Sequence, residues 1–363
     1  MTKRINVTQS FLPPKEEYLS YLDSLWESKW ITNRGIYVLE LEDKLKKNLG
    51  LNYLTLTTNG TLPIQIALKS IPNNKKEIIT TPFSYVATVS SIVWENFTPV
   101  FIDIDPNYLT IDETKIEAAI TENTGAILAT HVFGNPCNVE VIERIAQKHK
   151  IKVIYDAAHC FGVNYKGKSV FSYGDISTCS FHATKIFHTG EGGMMVSKTE
   201  ETHNQLFHKH NFGHKNEEEF YDVGINAKIT ELQAALGLSV FKYFPFIKNE
   251  RKKIVEYYLE NIKSSNISFL KIRPETEWNY HYFPIIFSNK ESLLKTVKKL
   301  NDENIFPRRY FYPSLNKLHY IKNKVACPVS ESVSRRVLCL PLFVDLQKED
   351  QNRIIDIINE CCS

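Results

Sequence analysis

The sequence has few of the features that mark nucleic-acid-binding, membrane-spanning or exported proteins. Its 44 Lys and Arg against 41 Asp and Glu leave a net charge of +3, with no long basic block for a nucleic acid or an anionic membrane. No run of about eighteen apolar residues could span a bilayer, and the N-terminal segment has no apolar core of a signal peptide. We therefore expect a cytoplasmic protein that binds neither nucleic acid nor membrane.

Cysteine pairs of the kind that hold a metal are also missing. The seven cysteines are odd in number and scattered, and none forms a Cys-x-x-Cys motif typical of zinc or redox sites. We interpret them as free thiols in a reducing compartment and expect no metal site. What remains is a chain of 363 residues, 43% of them apolar, which is long enough to bury a large core. A small molecule is the expected partner.

Between residues 53 and 200, short apolar segments alternate with helical patterns. Helices are predicted from about residue 61, from about residue 84, near Asp112 and over about 138–149. This alternation is typical of an α/β fold with a mostly parallel sheet covered on both faces. The apolar segments are YLTLTT (53–58), EIITT (77–81), PVFIDID (99–105), GAILATH (125–131) and IKVIYDAA (151–158).

The pattern changes after Asp156. The segments DISTCSF (175–181) and GMMVS (193–197) follow each other without a long helix between them, and a helix is predicted over about 199–210. Two strands in such close succession favour an antiparallel neighbour, so we expect the sheet to become mixed.

A second region begins near Phe244-Pro245-Phe246. It holds the apolar segment HYFPIIF (281–287) and helical patterns over about 291–303 and 348–360. We predict a large domain over residues 15–245 and a smaller α+β C-terminal domain over residues 246–363, which residues 1–14 join.

Residues directly after each strand are candidates for ligand binding, because open parallel sheets bind ligands at the carboxyl ends of their strands. The first such motif is TNGT (58–61), which follows a strand and opens a helix with Pro63 in its first turn. Free backbone N–H groups and the Thr61 hydroxyl would suit a phosphate. Taken alone, the motif fits an ordinary strand-to-helix turn equally well.

Asp156 and Lys185 form the second candidate pair, since each follows a strand of the predicted sheet. A carboxylate at the end of the buried strand IKVIYD is costly without a partner. Taken singly, Asp156 could cap a helix, Lys185 could be a solvated loop lysine, and His159 could be a buried structural histidine. Together, Asp156 and Lys185 could face each other across the crevice.

These features in combination match the needs of pyridoxal 5′-phosphate (PLP). This cofactor requires a lysine for a Schiff base, a carboxylate that keeps the pyridine nitrogen protonated, and a seat for its phosphate. The glycines of GEGG (190–193) would let the chain turn tightly beside the cofactor. The sequence has no Walker A motif and no G-x-G-x-x-G motif after the first strand. It therefore gives no support to a nucleotide hydrolase or a dehydrogenase.

Seven landmarks follow one another along the chain: TNGT (58–61), TPFSYVAT (81–88), PVFIDID (99–105), DAAHCFG (156–162), SFHATKIFHTGEGG (180–193), GINAKITELQAALGL (224–238) and LCLPLF (338–343). On these landmarks the chain resembles the DegT/DnrJ/EryC1/StrS family of PLP-dependent nucleotide-sugar aminotransferases over essentially its full length. The resemblance implies a fold-type I aminotransferase that acts as a homodimer with shared active sites.

The resemblance also implies roles for single residues. Lys185 would form the Schiff base and act as general base, Asp156 would pair with the ring nitrogen, Tyr85 would stack on the ring, and His159 would lie near the ring hydroxyl. Asn226 would reach the phosphate from the neighbouring subunit. The remaining phosphate contacts would come from Gly60, Thr61 and Ser180. Two positions depart from the family pattern, since Asn59 replaces a common serine and Lys228 a common arginine.

The implied reaction moves an amino group from L-glutamate to a nucleotide-linked keto sugar. The segment 7–45 resembles the subgroup that aminates dTDP-4-keto-6-deoxyglucose at C4. C3 amination of a dTDP-3-keto-6-deoxyhexose is the alternative. A PLP-dependent sugar dehydratase is disfavoured because some relatives with that activity carry histidine in place of Lys185, and the Lys185–Asp156 pair argues against a non-catalytic sugar-nucleotide binder.

Substrate contacts are expected from the segment RRYFYPSLNKLHY (308–320). Its arginines match phosphate oxygens through their forked guanidinium groups. A solvated turn explains each of these side chains equally well. The candidates for sugar or diphosphate contact are Arg308, Arg309, Tyr312 and His319.

Overall fold

The computed structural model describes residues 4–362. The helices in this part of the chain are α1 (Lys15–Ser28), α2 (Ile36–Leu49), α3 (Leu62–Leu68), α4 (Val86–Trp94), α5 (Val139–His149), α6 (Glu200–His210), α7 (Glu231–Phe241), α8 (Phe244–Asn261), α9 (Lys290–Asp302), α10 (Pro328–Arg336) and α11 (Lys348–Cys362). None of these helices is long and apolar enough to cross a membrane.

The strands of the same residues are short and are distributed over several sheets. They are β1 (Ile5–Asn6), β2 (Tyr53–Thr57), β3 (Glu77–Thr80), β4 (Thr98–Phe101), β5 (Thr124–Thr130), β6 (Lys152–Asp156), β7 (Asn164–Tyr165), β8 (Lys168–Ser169), β9 (Ile176–Ser180), β10 (Gly193–Ser197), β11 (Ile267–Phe269), β12 (Thr276–Glu277), β13 (Phe283–Phe287), β14 (Ile305–Phe306) and β15 (Val337–Leu340).

The main sheet has the strand order β2-β10-β9-β6-β5-β3-β4. Its strands run parallel except β10, which pairs antiparallel with both β2 and β9. Every residue of β5 is buried, as expected for a strand covered on both faces. The predicted α/β class and the mixed character of the sheet after Asp156 are therefore confirmed.

The register of the main sheet places the predicted chemistry at one edge. Thr130 at the end of β5 pairs with Asp156 at the end of β6, and Asp156 pairs with Thr178 of β9. Ser180 ends β9 opposite Gly193 at the start of the antiparallel strand β10. Because these are carboxyl ends of parallel strands, their side chains lie at the edge where ligands bind.

A second, antiparallel sheet of order β11-β13-β15 lies in the C-terminal part of the chain. Its core is a separate hydrophobic cluster that includes residues of α8, α9 and α11. The N-terminal strand β1 pairs with β14, so residues near position 5 join this part. The continuous helix α8 runs through positions 245 and 246, and the division into domains at that boundary stays a prediction.

One predicted helix is wrong. The helix expected near Asp112 is replaced by two short 3₁₀ turns, Glu113–Lys115 and Glu117–Ala119. The Asp112 carboxylate accepts hydrogen bonds from the backbone N–H and the hydroxyl of Thr114, at 3.1 and 2.6 Å. Such bonds two residues along the chain favour a tight turn over an α-helix.

Candidate active site

A cleft of about 520 Å³ opens at the carboxyl edge of the main sheet. Its walls come from the loops that follow β2, β3, β6 and β9, together with Tyr282, Arg308, Tyr310 and Phe311 from the C-terminal part of the chain. The predicted site residues that line it are Gly60, Thr61, Tyr85, Asp156, His159, Ser180, Lys185 and Arg308.

Lys185 lies on the loop between β9 and β10. Its backbone N–H donates to the carbonyl of His182 at 2.8 Å, which folds the loop so that the side chain enters the cleft. Burial lowers the pKa of Lys185 from 10.5 to about 8, and the nearby Asp156 carboxylate opposes this shift. The amine lies 5.8 Å from the centre of the Tyr282 ring. A lysine in this state is more often neutral, and so more nucleophilic, than a lysine in water.

Asp156 is buried at the end of β6, with 4% of its surface exposed. Its Oδ2 accepts a hydrogen bond from the Thr88 hydroxyl at 2.6 Å, and its Oδ1 accepts one from the backbone N–H of Ala158 at 3.1 Å. Burial raises the pKa of Asp156, while these two hydrogen bonds and Lys185 act in the opposite direction. The carboxylate therefore needs a positively charged partner to be stable in its ionised form.

A chain of hydroxyl groups leads to Asp156. Thr130 Oγ1 lies 3.0 Å from Ser84 Oγ, which lies 2.7 Å from Thr88 Oγ1. Since an ionised carboxylate only accepts, Thr88 donates to Asp156, and the hydrogen bonds run from Thr130 through Ser84 to Thr88. Sequence analysis missed these three residues, although the spacing of Ser84 and Thr88 at the start of α4 would have indicated a shared face.

His159 is held in one tautomer by the backbone. Its Nδ1 accepts a hydrogen bond from the N–H of Phe133 at 3.1 Å, so the proton of the neutral ring is on Nε2. Its ring is nearly parallel to that of Phe311, with the centres 5.6 Å apart and an angle of 2°. Burial keeps the pKa of His159 well below its usual value, and the positive charge of Lys185 adds to this effect. A neutral donor thus lines the cleft.

The loop after β2 differs from the prediction in one respect. The N–H groups of Thr61 and Leu62, expected to be free, donate to the side-chain oxygen of Asn59, each at 2.9 Å. The Asn59 side chain thus occupies N–H groups at the start of α3 that an anion would otherwise use. The groups left to hold an anion are the Gly60 backbone and the hydroxyls of Thr61 and Ser180.

Comparison with known proteins identifies the family. The model of the DegT/DnrJ/EryC1/StrS aminotransferase family matches residues 14–359. The chain belongs to this family. It is 39% identical to the dTDP-4-amino-4,6-dideoxy-D-glucose transaminase of Shigella dysenteriae over 99% of this chain and 100% of the relative. It is 37% identical to the Escherichia coli protein of the same description, over 96% of each chain.

Solved structures agree with this assignment. The structure of DesI in the presence of its TDP-sugar product covers 100% of this chain and 94% of its own, with a TM-score of 0.94 and 26% identity. Helicobacter pylori PseC, an aminotransferase of pseudaminic acid biosynthesis, covers 99% of both chains with a TM-score of 0.91 and 26% identity. The fold predicted from the sequence, that of a PLP-dependent sugar aminotransferase, is confirmed.

Aminotransferases of this family depend on PLP, and the cleft fits that cofactor. Asp156 is a buried carboxylate without a full counter-charge, and Lys185 has a lowered pKa. A Cβ atom on Gly60 would lie 2.5 Å from the Cβ of Ser180, so only glycine brings this backbone against the Ser180 hydroxyl. When bound, PLP supplies an aldehyde for a lysine and a pyridine ring that withdraws electrons.

Several predicted residues do not line the cleft of the single chain. The Arg309 guanidinium packs 3.8 Å from the centre of the Tyr312 ring and donates to the carbonyl of Arg335. His319 is exposed beside Tyr320. Asn226 is exposed after α6, where it forms a β-bridge with Asn211. Their roles stay predictions.

The cleft of this family member also contains residues that the sequence did not single out. Tyr282, Tyr310 and Phe311 come from the C-terminal part of the chain and form one wall. His182 and Glu191 lie on the same loop as Lys185 and line the cleft as well. Tyr282 has no local sequence signal, and Tyr310 and Phe311 lie in the segment 308–320 expected to contact the substrate, although neither is a candidate there. Only the packing of the C-terminal part against the main sheet places the three side chains here.

Proposed function

We propose that this protein transfers the amino group of L-glutamate to C4 of dTDP-4-keto-6-deoxyglucose. The products are 2-oxoglutarate and dTDP-4-amino-4,6-dideoxyglucose. The proposal depends on one observation: Lys185 and Asp156 line the same cleft. The chain that contains this cleft is 39% and 37% identical to two dTDP-4-amino-4,6-dideoxy-D-glucose transaminases. The same cleft must accept the amino acid and the sugar in turn, because the amino group passes between them.

Lys185 is the group that we propose moves protons and bonds to the cofactor. Because burial lowers its pKa to about 8, a larger share of this amine is neutral near neutral pH than for a lysine in water. A neutral amine can attack an aldehyde and can accept a proton from the substrate carbon that bears the amino group. Its place beside the Tyr282 ring restricts the directions in which the amine can move.

Asp156 and His159 are proposed to hold two polar groups of the cofactor ring, the nitrogen and the hydroxyl. Asp156, supported by Thr88 and Ala158, would bind the protonated ring nitrogen and remain ionised there. His159 would donate from Nε2 to the ring hydroxyl, because its Nδ1 already accepts from Phe133.

The phosphate and ring face are the remaining contacts. Gly60 and the hydroxyls of Thr61 and Ser180 would hold the phosphate, and their meeting in one wall of the cleft supports this role. Tyr85, which is 50% exposed and lines the cleft, would stack on the ring. Arg308 is the arginine of the cleft that could bind the diphosphate of the sugar nucleotide.

We further propose a homodimer in which Asn226 of each chain completes the phosphate site of its partner. The segment between Asn211 and Asn226 exposes Phe220 and Val223 at 62% and 82%, with Phe212 and Tyr221 close to half exposed. Apolar side chains gathered in this way favour burial against another protein surface.

We also propose that the protein works in a reducing cytoplasm. The seven unpaired cysteines, all buried, support this compartment.

The test is an amination assay with purified protein. The protein is incubated with PLP, L-glutamate and each of dTDP-4-keto-6-deoxyglucose, a dTDP-3-keto-6-deoxyhexose and UDP-linked keto sugars, and products are identified by mass spectrometry and NMR. We expect a kcat/KM for the 4-keto dTDP sugar well above the others. A preference for the 3-keto sugar would overturn the C4 assignment, and elimination without amination would favour a dehydratase.

A further inference from the structure

Glu191 is a carboxylate of the cleft for which the reaction proposed above has no use. Within residues 4–362, the acidic side chains that line the cleft are those of Asp156 and Glu191. Asp156 is buried and bound to the hydroxyl chain, whereas the side chain of Glu191 is 59% exposed. Glu191 therefore faces the more solvent-accessible part of the cleft, where the substrate rather than the cofactor ring is expected.

The backbone around Glu191 is closely fixed. Its carbonyl accepts hydrogen bonds from the Thr189 hydroxyl at 2.6 Å and from the Gln233 side chain at 2.8 Å. Gly190 has a φ of +81°, and a Cβ on Gly192 would overlap the Thr189 hydroxyl. The glycines of GEGG thus permit a turn that leaves only the Glu191 side chain free to enter the cleft.

His182 lies beside the Glu191 carboxylate. Its Nδ1 accepts a hydrogen bond from the N–H of Thr184 at 3.2 Å, so the neutral ring carries its proton on Nε2. That Nε2 lies 3.5 Å from Oε1 of Glu191, which leaves Oε2 without this partner. The pair thus presents carboxylate oxygens that can accept further hydrogen bonds.

The charged and neutral groups of the two substrates determine which of them the Glu191 carboxylate can bind. L-glutamate brings two carboxylates and the sugar nucleotide brings a diphosphate, and Glu191 repels each of these anions. The neutral hydroxyl groups of the hexose are donors that a carboxylate accepts strongly. We propose that Glu191, oriented by His182, accepts hydrogen bonds from the hexose hydroxyls and so helps to set which ring carbon faces Lys185. This inference rests on the proposed function.

The first test compares binding of dTDP and of dTDP-4-amino-4,6-dideoxyglucose by calorimetry. Glu191→Gln keeps the size of the side chain and its backbone contacts but removes the charge. Loss of hydrogen bonds to a charged group should weaken binding of the sugar nucleotide about tenfold to a hundredfold and leave dTDP binding unchanged. Glu200→Gln, on the exposed start of α6, is the matched control and should change neither. Unchanged sugar-nucleotide binding by Glu191→Gln would overturn the inference.

The second test separates the two half-reactions. Glu191→Gln should convert L-glutamate at the normal single-turnover rate, while kcat/KM for the keto sugar falls mainly through KM. An equal loss in the L-glutamate step would mean that Glu191 binds the donor ammonium, which contradicts the inference. Sugar nucleotides that lack the 2- or 3-hydroxyl allow a double-perturbation cycle. At least one of them should bind less well than the parent sugar nucleotide to the unaltered protein. Glu191→Gln should bind that analogue and the parent sugar nucleotide equally well.

His182→Gln tests the positioning role. Glutamine cannot reproduce the imidazole donor at the same place, so sugar-nucleotide binding should weaken by less than in Glu191→Gln, with the L-glutamate half-reaction unchanged. The double variant should lose no more than Glu191→Gln alone, because His182 acts through Glu191. Fully additive losses would contradict that role. If the unaltered protein fails to aminate any keto sugar, the proposed function fails, whereas a failure confined to the Glu191 comparison removes only this inference.

Discussion

Replacing Thr88 by valine should make the stability of the cofactor-free protein depend differently on pH. Valine has nearly the shape of threonine but cannot donate to Asp156 Oδ2, which Thr88 contacts at 2.6 Å. It also removes one of the two hydroxyl partners of Ser84, which lies 2.7 Å from the Thr88 hydroxyl and 3.0 Å from that of Thr130. The perturbation therefore removes a buried donor to a carboxylate and little packing volume.

The magnitude follows from the state of Asp156. A hydrogen bond to a charged group contributes about 1.5–3 kcal/mol, so the loss of the Thr88 donor raises the pKa of Asp156 further. Burial already raises that pKa above its ordinary value of 3.8. A carboxyl whose folded pKa is raised binds protons more tightly when folded, so stability is lost as pH rises from the unfolded pKa through the folded one. The variant should lose about 1.5–3 kcal/mol at pH 7.5 and clearly less at pH 4, where a larger share of the Asp156 carboxyl groups is protonated and the hydrogen bond is no longer to a charge.

The assay is urea unfolding of the cofactor-free protein at pH 7.5 and pH 4, with the midpoint and slope fitted at each pH. Thr80→Val is the matched control, because the buried Thr80 hydroxyl has no hydrogen-bond partner among the described residues. The control should change the free energy of unfolding equally at both pH values. An equal loss for Thr88→Val at pH 7.5 and pH 4 would refute the role assigned to the Thr88–Asp156 hydrogen bond.

Three further predictions concern the cofactor and the assembly. Borohydride reduction should attach PLP covalently to Lys185, and peptide mapping that finds PLP on another lysine would contradict this assignment. Lys185→Ala should lose several orders of magnitude in turnover. Gly60→Ala should weaken PLP binding, measured by absorbance titration, because its Cβ would lie 2.5 Å from Ser180 Cβ, and unchanged affinity would count against the close approach. Mixing Lys185→Ala with an inactive Asn226→Ala variant should restore part of the activity, because one site of the mixed dimer carries neither substitution. If subunit exchange is verified and no activity returns, the active sites are not shared.

The sequence determined the α/β class, the strands whose ends carry the site, and the family. Asp156 and Lys185 were found because each follows a strand, and the carboxyl ends of neighbouring parallel strands share one edge of a sheet. That inference needs only local pattern and topology. The one predicted helix that was wrong, near Asp112, failed because a side chain bonded to its own backbone in competition with the helix.

Only the tertiary structure decided how the site is completed. The hydroxyls of Thr130, Ser84 and Thr88 form one chain that ends at Asp156 because the carboxyl ends of β3, β5 and β6 lie side by side. The spacing of Ser84 and Thr88 indicates only that these two share a face, and nothing in the sequence joins them to Thr130 or Asp156. The wall formed by Tyr282 and Phe311 comes from chain more than a hundred residues beyond Asp156. Contacts between segments so distant in sequence depend on how the hydrophobic surfaces of both parts pack, and a local sequence pattern does not encode that packing.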